Sequence, residues 1–154
     1  FHITLAGGSG NLSWASNNPA LTVDNDGIVT FNSNPGDGSR LTITITDNLT
    51  QQVVTENWTF SSWFYTAGSS TQGDHPTAVA ACLSSGGLPT LGNMTSLVNL
   101  WGNMSAYNWD TSSDYWTNES DVSQLNYYYA YNLAQGGQTG YPESTQTAYV
   151  CGGE

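Results

Sequence analysis

The chain has 154 residues and a mass of 16.5 kDa, enough for one ordinary domain or two small ones. Twelve acids stand against a single cation, Arg40, for a formal charge of -11, so no basic patch exists to attract a phosphate backbone or an anionic membrane surface. Charged residues make up only 8%, but 12% are aromatic, which excludes a disordered acidic tail.

Residues 1–62 carry short alternating runs punctuated by turn residues. Phe1 to Leu5 alternates as a strand would, until Gly7-Gly8-Ser9-Gly10 breaks it. Leu12 and Trp14 face one way, Asn17-Asn18-Pro19 turns the chain, and Leu21 and Val23 lead into Asp24-Asn25-Asp26-Gly27. Asp-Gly there supplies a hairpin position with positive φ. Ile28 to Phe31 follows, and Asn34-Pro35-Gly36-Asp37-Gly38 is loop. Leu41 to Thr46 is the clearest period-two strand, and Val53 to Phe60 is another after a turn at Asp47-Asn48. Strands at roughly ten-residue spacing, without helical periodicity between them, predict an all-β sandwich.

The composition changes after Ser62, and residues 63–154 predict an α+β domain. Trp63-Phe64-Tyr65 is followed by a Gly- and Ser-containing stretch. Pro76 then sits where a first helical turn accepts it, with Asp74 or His75 as the cap. Ala78, Val79, Ala81, Cys82 and Leu83 give that helix an apolar face, and Gly86-Gly87 ends it. Leu91 to Trp101 reads as a second helix with Leu97, Leu100 and Trp101 inward. A long polar loop from Gly102 to Asp114 precedes strands at Tyr115 to Thr117, Tyr127 to Leu133 and Thr147 to Cys151. No run of about eighteen apolar residues exists to span a bilayer. The chain starts at Phe1 without initiator Met or signal-peptide pattern, so it reads as a piece of something longer. For Cys82 and Cys151 the simplest reading in an oxidising compartment is one disulfide. The alternative is a pair of free buried thiols.

Two stretches are familiar. Residues 12–30, from Leu12-Ser13-Trp14 through Asn18-Pro19 and Asp24-Asn25-Asp26-Gly27 to Thr30, resemble bacterial immunoglobulin-like (Big-type) repeats. Ala80-Ala81-Cys82, Gly86-Gly87-Leu88-Pro89-Thr90, Tyr115-Trp116-Thr117, Tyr127 to Leu133 and Tyr149-Val150-Cys151 resemble, in that order, the C-type-lectin-like domain of the intimin/invasin adhesins. The resemblance implies an immunoglobulin-like domain over 1–62, short of a first strand, and a lectin-like domain over 63–154. It implies that Cys82 and Cys151 are bonded, and that the pair sits exposed on a bacterial cell surface, at the far end of a rod anchored by an upstream outer-membrane barrel. It further implies an inverse autotransporter that serves cell adhesion and virulence by binding a host protein. One departure matters: Leu83-Ser84-Ser85-Gly86-Gly87 lacks the aspartate on which integrin binding by invasins depends.

Catalytic groupings are missing from the pattern. His2 and His75 have no serine or cysteine partner in a recognisable motif, so no enzymatic activity, cofactor or metal is expected. Asn108-Trp109-Asp110 and Tyr141-Pro142-Glu143 fall short of the calcium-and-sugar motifs of lectins, and Asp110, Asp114 and Glu119 read as solvated loop acids. Six Asn-x-Ser/Thr sequons, starting at Asn11, Asn48, Asn57, Asn93, Asn103 and Asn118, are expected by chance in a chain this rich in Asn, Ser and Thr. Of the aromatics on the paired strands, Trp116, Tyr128 and Tyr65 are assigned to the core. Receptor contact is assigned to Tyr107, Trp109, Asp110, Asp114 and Tyr115, with Tyr141 flanking, because aromatic anchors and acids share a segment too long for a mere connector. The expected partner is a host cell-surface or secreted protein bound by a monomer, without nucleic acid or membrane insertion. A carbohydrate-binding module and a purely structural cap are the alternatives.

Overall fold

A computed structural model of the protein describes residues 1–36, 38–60, 62–65 and 71–153, apart from the Tyr65 side chain, whose assignment to the core lies outside the described residues. Among the described residues the fold is β-rich with two short α-helices, and the chain separates into two compact units, Phe1–Ser61 and Ser62–Glu154.

In the first unit the period-two run becomes the central strand. Five strands form: β1 (Leu12–Ser16), β2 (Leu21–Val23), β3 (Val29–Phe31), β4 (Arg40–Asp47) and β5 (Val53–Thr59). β4 lies between β1 and β5, antiparallel to both, while β2 and β3 form a separate hairpin. Alternation on β4 sends Leu41, Ile43 and Ile45 inward, where Leu21 and Val29 of the hairpin join them in one core. Arg40, exposed at the start of β4, donates from Nε to Asn57 Oδ1 at 3.2 Å across the ladder.

The hairpin turn is held by Asp24, whose Oδ1 accepts from the backbone N–H groups of Asp26 (3.0 Å) and Ile28 (2.9 Å). Gly27 sits there at φ +80, and a Cβ on it would stand 2.6 Å from the Ile3 carbonyl and 3.0 Å from the Trp14 ring. Gly27→Ala is therefore expected to destabilise the first unit by about 1–3 kcal/mol through strain and clash together. Urea unfolding followed by Trp fluorescence reads this as a lowered midpoint at constant slope. Phe1 to Leu5, expected as a strand, makes a single bridge, His2 to Ile28, where Phe1 exchanges backbone bonds with Val29 at the start of β3 (3.0 and 2.8 Å) and the Ile3 N–H donates to the Gly27 carbonyl at 2.9 Å.

Asp47 closes the other end of the sheet. Its carboxylate accepts from the Ser9 hydroxyl and N–H (2.7 Å each), Leu49 N–H (2.9 Å) and Thr50 N–H (3.1 Å). Bonds to the ionised form, those from Ser9 foremost, hold this carboxyl well below the ordinary carboxylate range.

The second unit contains β6 (Phe64–Tyr65), β7 (Gln72–Gly73), α1 (His75–Cys82), α2 (Leu91–Trp101), a 3-10 turn (Met104–Tyr107), β8 (Tyr115–Ser120), β9 (Tyr127–Tyr131), β10 (Gln138–Pro142), β11 (Thr147–Ala148) and β12 (Cys151–Gly152). Five strands form one sheet in the order β10-β9-β8-β11-β7, and β12 pairs with β6. Alternate residues of β8 and β9 serve two cores. Tyr115 and Tyr131 pack with Met94, Met104 and Leu133 on the side of α2. Trp116 and Ala130 pack with Ala78, Cys82 and Leu88 on the side of α1. Trp116 and Tyr128 thus take the core positions expected of them, Tyr128 only partly buried. Cys82 and Cys151 are bonded, tying α1 to β12.

Asp74 caps α1 by accepting from Thr77 N–H at 2.9 Å, with Pro76 in the first turn. Thr90 and Asn93 form a reciprocal capping box at the start of α2. The inward face of α2 differs from expectation: Met94 is fully buried, Leu97 and Val98 pack beside it, and Leu100 is 80% exposed. At 100° per residue Leu100 is rotated by about 240° from Met94, which carries it off the core stripe. Trp101 returns toward that stripe but lies at the helix end and stays 38% exposed. Residues Gln138 to Pro142, where no strand is expected from local preference, form a strand on the edge of β9.

Candidate functional site

The six residues assigned to receptor contact do not form one surface. Tyr107, at the end of the 3-10 turn, is exposed and meets Trp101 edge-on at 5.5 Å and 89°. Asn108 follows in the left-handed region at φ 63 and swings the chain back toward the core. Trp109 is half-buried there, edge-on to Phe64 at 6.3 Å and tilted on Tyr115 at 5.9 Å. Tyr115 is 5% exposed, and its O–H donates to the Asp110 carbonyl at 2.7 Å. Burial, and then the Asp110 charge, push this phenol up to about 12. The Asp110 carboxylate accepts from Ser112 Oγ (2.6 Å) and Ser112 N–H (2.9 Å), which holds it below the ordinary carboxylate range.

Asp114 is a structural knot. Its carboxylate accepts from Asn132 Nδ2 at 2.9 Å and from the Tyr141 O–H at 3.1 Å. Its carbonyl accepts from Thr147 Oγ1 at 2.6 Å and Ala148 N–H at 3.1 Å. One aspartate therefore joins the entry to β8 with the end of β9, with β10 and with β11. Tyr141 lies within β10 and meets Trp116 edge-on at 6.2 Å. Burial, then Asp114, push its phenol up. The structure thus groups Trp109, Asp110 and Tyr115, and separately Asp114 and Tyr141, leaving Tyr107 as the ring most open to a partner.

Other side chains are displayed more openly. In the connection from β8 to β9, Val122 is 94% and Leu125 88% exposed. The loop that carries them is pinned. Asp121 accepts from Ser123 Oγ (2.6 Å), Ser123 N–H (2.9 Å) and Tyr129 O–H (3.2 Å), and its own N–H donates to the Tyr127 carbonyl at 2.8 Å. Asn126 sits at φ 58, and its carbonyl accepts from Glu143 N–H at 2.8 Å. Gly140 makes the seat for Asp121, since a Cβ there would stand 2.5 Å from Asp121 Oδ2. In the sequence this tip looks like an ordinary turn, with isolated apolar residues between Asp, Ser and Gln. The usable signal was that both are large aliphatics in a segment with no other place to bury them.

Asp110, Asp114 and Glu119 do not gather. Glu119 accepts from Leu91 N–H at 2.9 Å at the start of α2, and no group of three or more His, Cys, Asp or Glu among the described residues could hold a metal ion. His2 Nε2 lies 2.8 Å from the Asp26 carbonyl and His75 Nε2 3.0 Å from the Thr117 carbonyl. Among the described residues no helix is long and apolar enough to cross a membrane.

Residues 1–60 match the family model described as Invasin, domain 4, which supports the intimin/invasin family. The match lies within the first unit. No curated protein and no solved structure matches the chain.

Proposed function

From the match of residues 1–60 to an invasin domain, we propose that this chain is the exposed end of a bacterial surface adhesin that binds a host protein through its second unit. In this reading the first unit is an immunoglobulin-like spacer, which the single core shared by β1-β4-β5 and the β2-β3 hairpin supports. The second unit is a C-type-lectin-like domain. Its support is a sheet covered by one helix on each face, with its first and last strands, β6 and β12, paired.

The observation that carries the contact surface is the pinned tip with Val122 and Leu125. A Val or Leu left in water forgoes about 1.5–3 kcal/mol of burial, and here two of them stand on one short loop that is already ordered. Glu143 is joined to the same loop through Asn126, and residues 62–154 contain no Lys or Arg, so the complementary surface is an apolar recess with basic groups around it. Tyr107 with Trp101 offers a further contact zone ahead of β8.

The test is binding of the fluorescently labelled chain to cultured host cells. Val122→Ser with Leu125→Ser is expected to weaken binding at least about tenfold, with the circular dichroism spectrum unchanged. Binding should survive EDTA and be lost after protease treatment of the cells. Loss after glycosidase treatment or in EDTA would give the carbohydrate-binding reading first place, and no binding by the unaltered chain would overturn the adhesin reading.

A further inference from the structure

Helix α1 is fastened to the second unit by unlike means at its two ends. At its C-terminal end Cys82 is bonded to Cys151. At its N-terminal end it is held by the side chain of His75, only 6% exposed, and by the His75 N–H, which donates to the Glu143 carbonyl at 2.8 Å. The imidazole stacks on Tyr128 of β9 at 3.6 Å and 14°, and meets Trp116 of β8 edge-on at 5.2 Å and 86°. Nε2 lies 3.0 Å from the Thr117 carbonyl, which only accepts, so Nε2 carries the proton and donates. A second proton must go to Nδ1, which puts a full positive charge on a ring only 6% exposed. The ring also belongs to the first turn of α1, where the aligned peptide dipoles oppose a positive charge.

The charged groups around it are few. Asp74 precedes it but is committed to Thr77, and Glu143 approaches from the segment after β10, its carbonyl accepting the His75 N–H at 2.8 Å. The neighbours on β8 and β9 (Trp116, Thr117 and Tyr128) bring no carboxylate.

We propose that His75 is an acid-sensitive latch, whose protonation frees the N-terminal end of α1 from β8 and β9 while the disulfide keeps the C-terminal end in place. Opening in this way uncovers the Trp116 indole and the Tyr128 ring without unfolding the unit. Burial lowers the affinity of the closed ring for its second proton more than the Thr117 carbonyl, Glu143 and Asp74 raise it. The released ring returns to the ordinary value of about 6.5. The latch is therefore fully closed above that value and loosens as pH falls below it, toward the lowered value of the closed state. Asp74 is held below the ordinary carboxylate range, by Thr77 first, so its own titration falls at lower pH.

Hydrogen exchange of the α1 amides Ala78 to Cys82, corrected for intrinsic rates, reads the opening. Going from pH 7.5 to pH 5.5 should increase the open population about tenfold in the unaltered protein, and should leave it unchanged in His75→Gln, which keeps a donor for Thr117 but does not titrate. Equal response in the two proteins, or none in the unaltered one, overturns the latch. A direct NMR titration of the His75 ring needs no variant: a midpoint at or above about 6.5 would also overturn it.

Discussion

Reducing the Cys82–Cys151 disulfide is expected to destabilise the second unit by about 4 kcal/mol, the entropy of opening a 69-residue separation in the unfolded chain. In a unit of this size such a loss lowers the unfolding temperature by on the order of 20 °C. The staple matters here because the unit is small, and its two cores meet only through the sheet between them. Cys82 and Cys151 are both buried in the core on the α1 side, so the bond joins segments that already pack. Thermal unfolding with and without reductant checks this. The transition of the first unit, which contains no cysteine, should stay where it is. A parallel drop in both transitions would mean that the two units do not unfold independently.

Trp116→Ala is expected to cost the second unit about 3–5 kcal/mol, as for a large ring removed from a packed core. Trp116 is fully buried, edge-on to both His75 and Tyr141, and its Nε1–H donates to the Gly73 carbonyl at 2.9 Å. That bond ties β8 to β7, which lies two strands away in the sheet, so the substitution empties a core and orphans a carbonyl together. Denaturant unfolding should show a lowered midpoint, with Trp116→Phe intermediate because it keeps most of the volume and loses the donor. A change below about 1 kcal/mol for the alanine variant would mean that the α1-side core collapses around the gap.

How much of this was legible in the sequence depends on whether the cause was local. The alternation from Leu41 to Thr46 stated both the strand and its buried face, because β4 has its inner face on a core and period two is the direct result. The Asp24 to Gly27 turn and the Asp74 cap were legible for the same reason: each is made by a side chain bonding to backbone two to four residues on. Strand β10 was not. Gly136, Gly137, Gly140 and Pro142 are turn residues by local preference, and what makes this segment a strand is the free edge of β9 and the Asp121 carboxylate seated over Gly140. The exposure of the residues assigned to receptor contact is set in a related, non-local way. Composition announces aromatics but not their exposure, and Trp109 is turned inward by Phe64, a residue far away along the chain. Leu100 was placed inward because it is apolar, whereas the helix phase, counted from Met94, puts it outside.

The placement of Arg40 has a consequence for proteolysis. A protease that cuts after basic residues finds one bond in the whole chain, Arg40–Leu41. Leu41 is fully buried, and β4 is paired on both sides, so the bond fits a protease cleft only once the strand has left the sheet. When strand opening is fast compared with cleavage, the rate of that single cut measures how often the first unit opens. The cut is blind to the second unit, which offers such an enzyme nothing to cleave. Trypsin is in this way a stability probe for one unit alone.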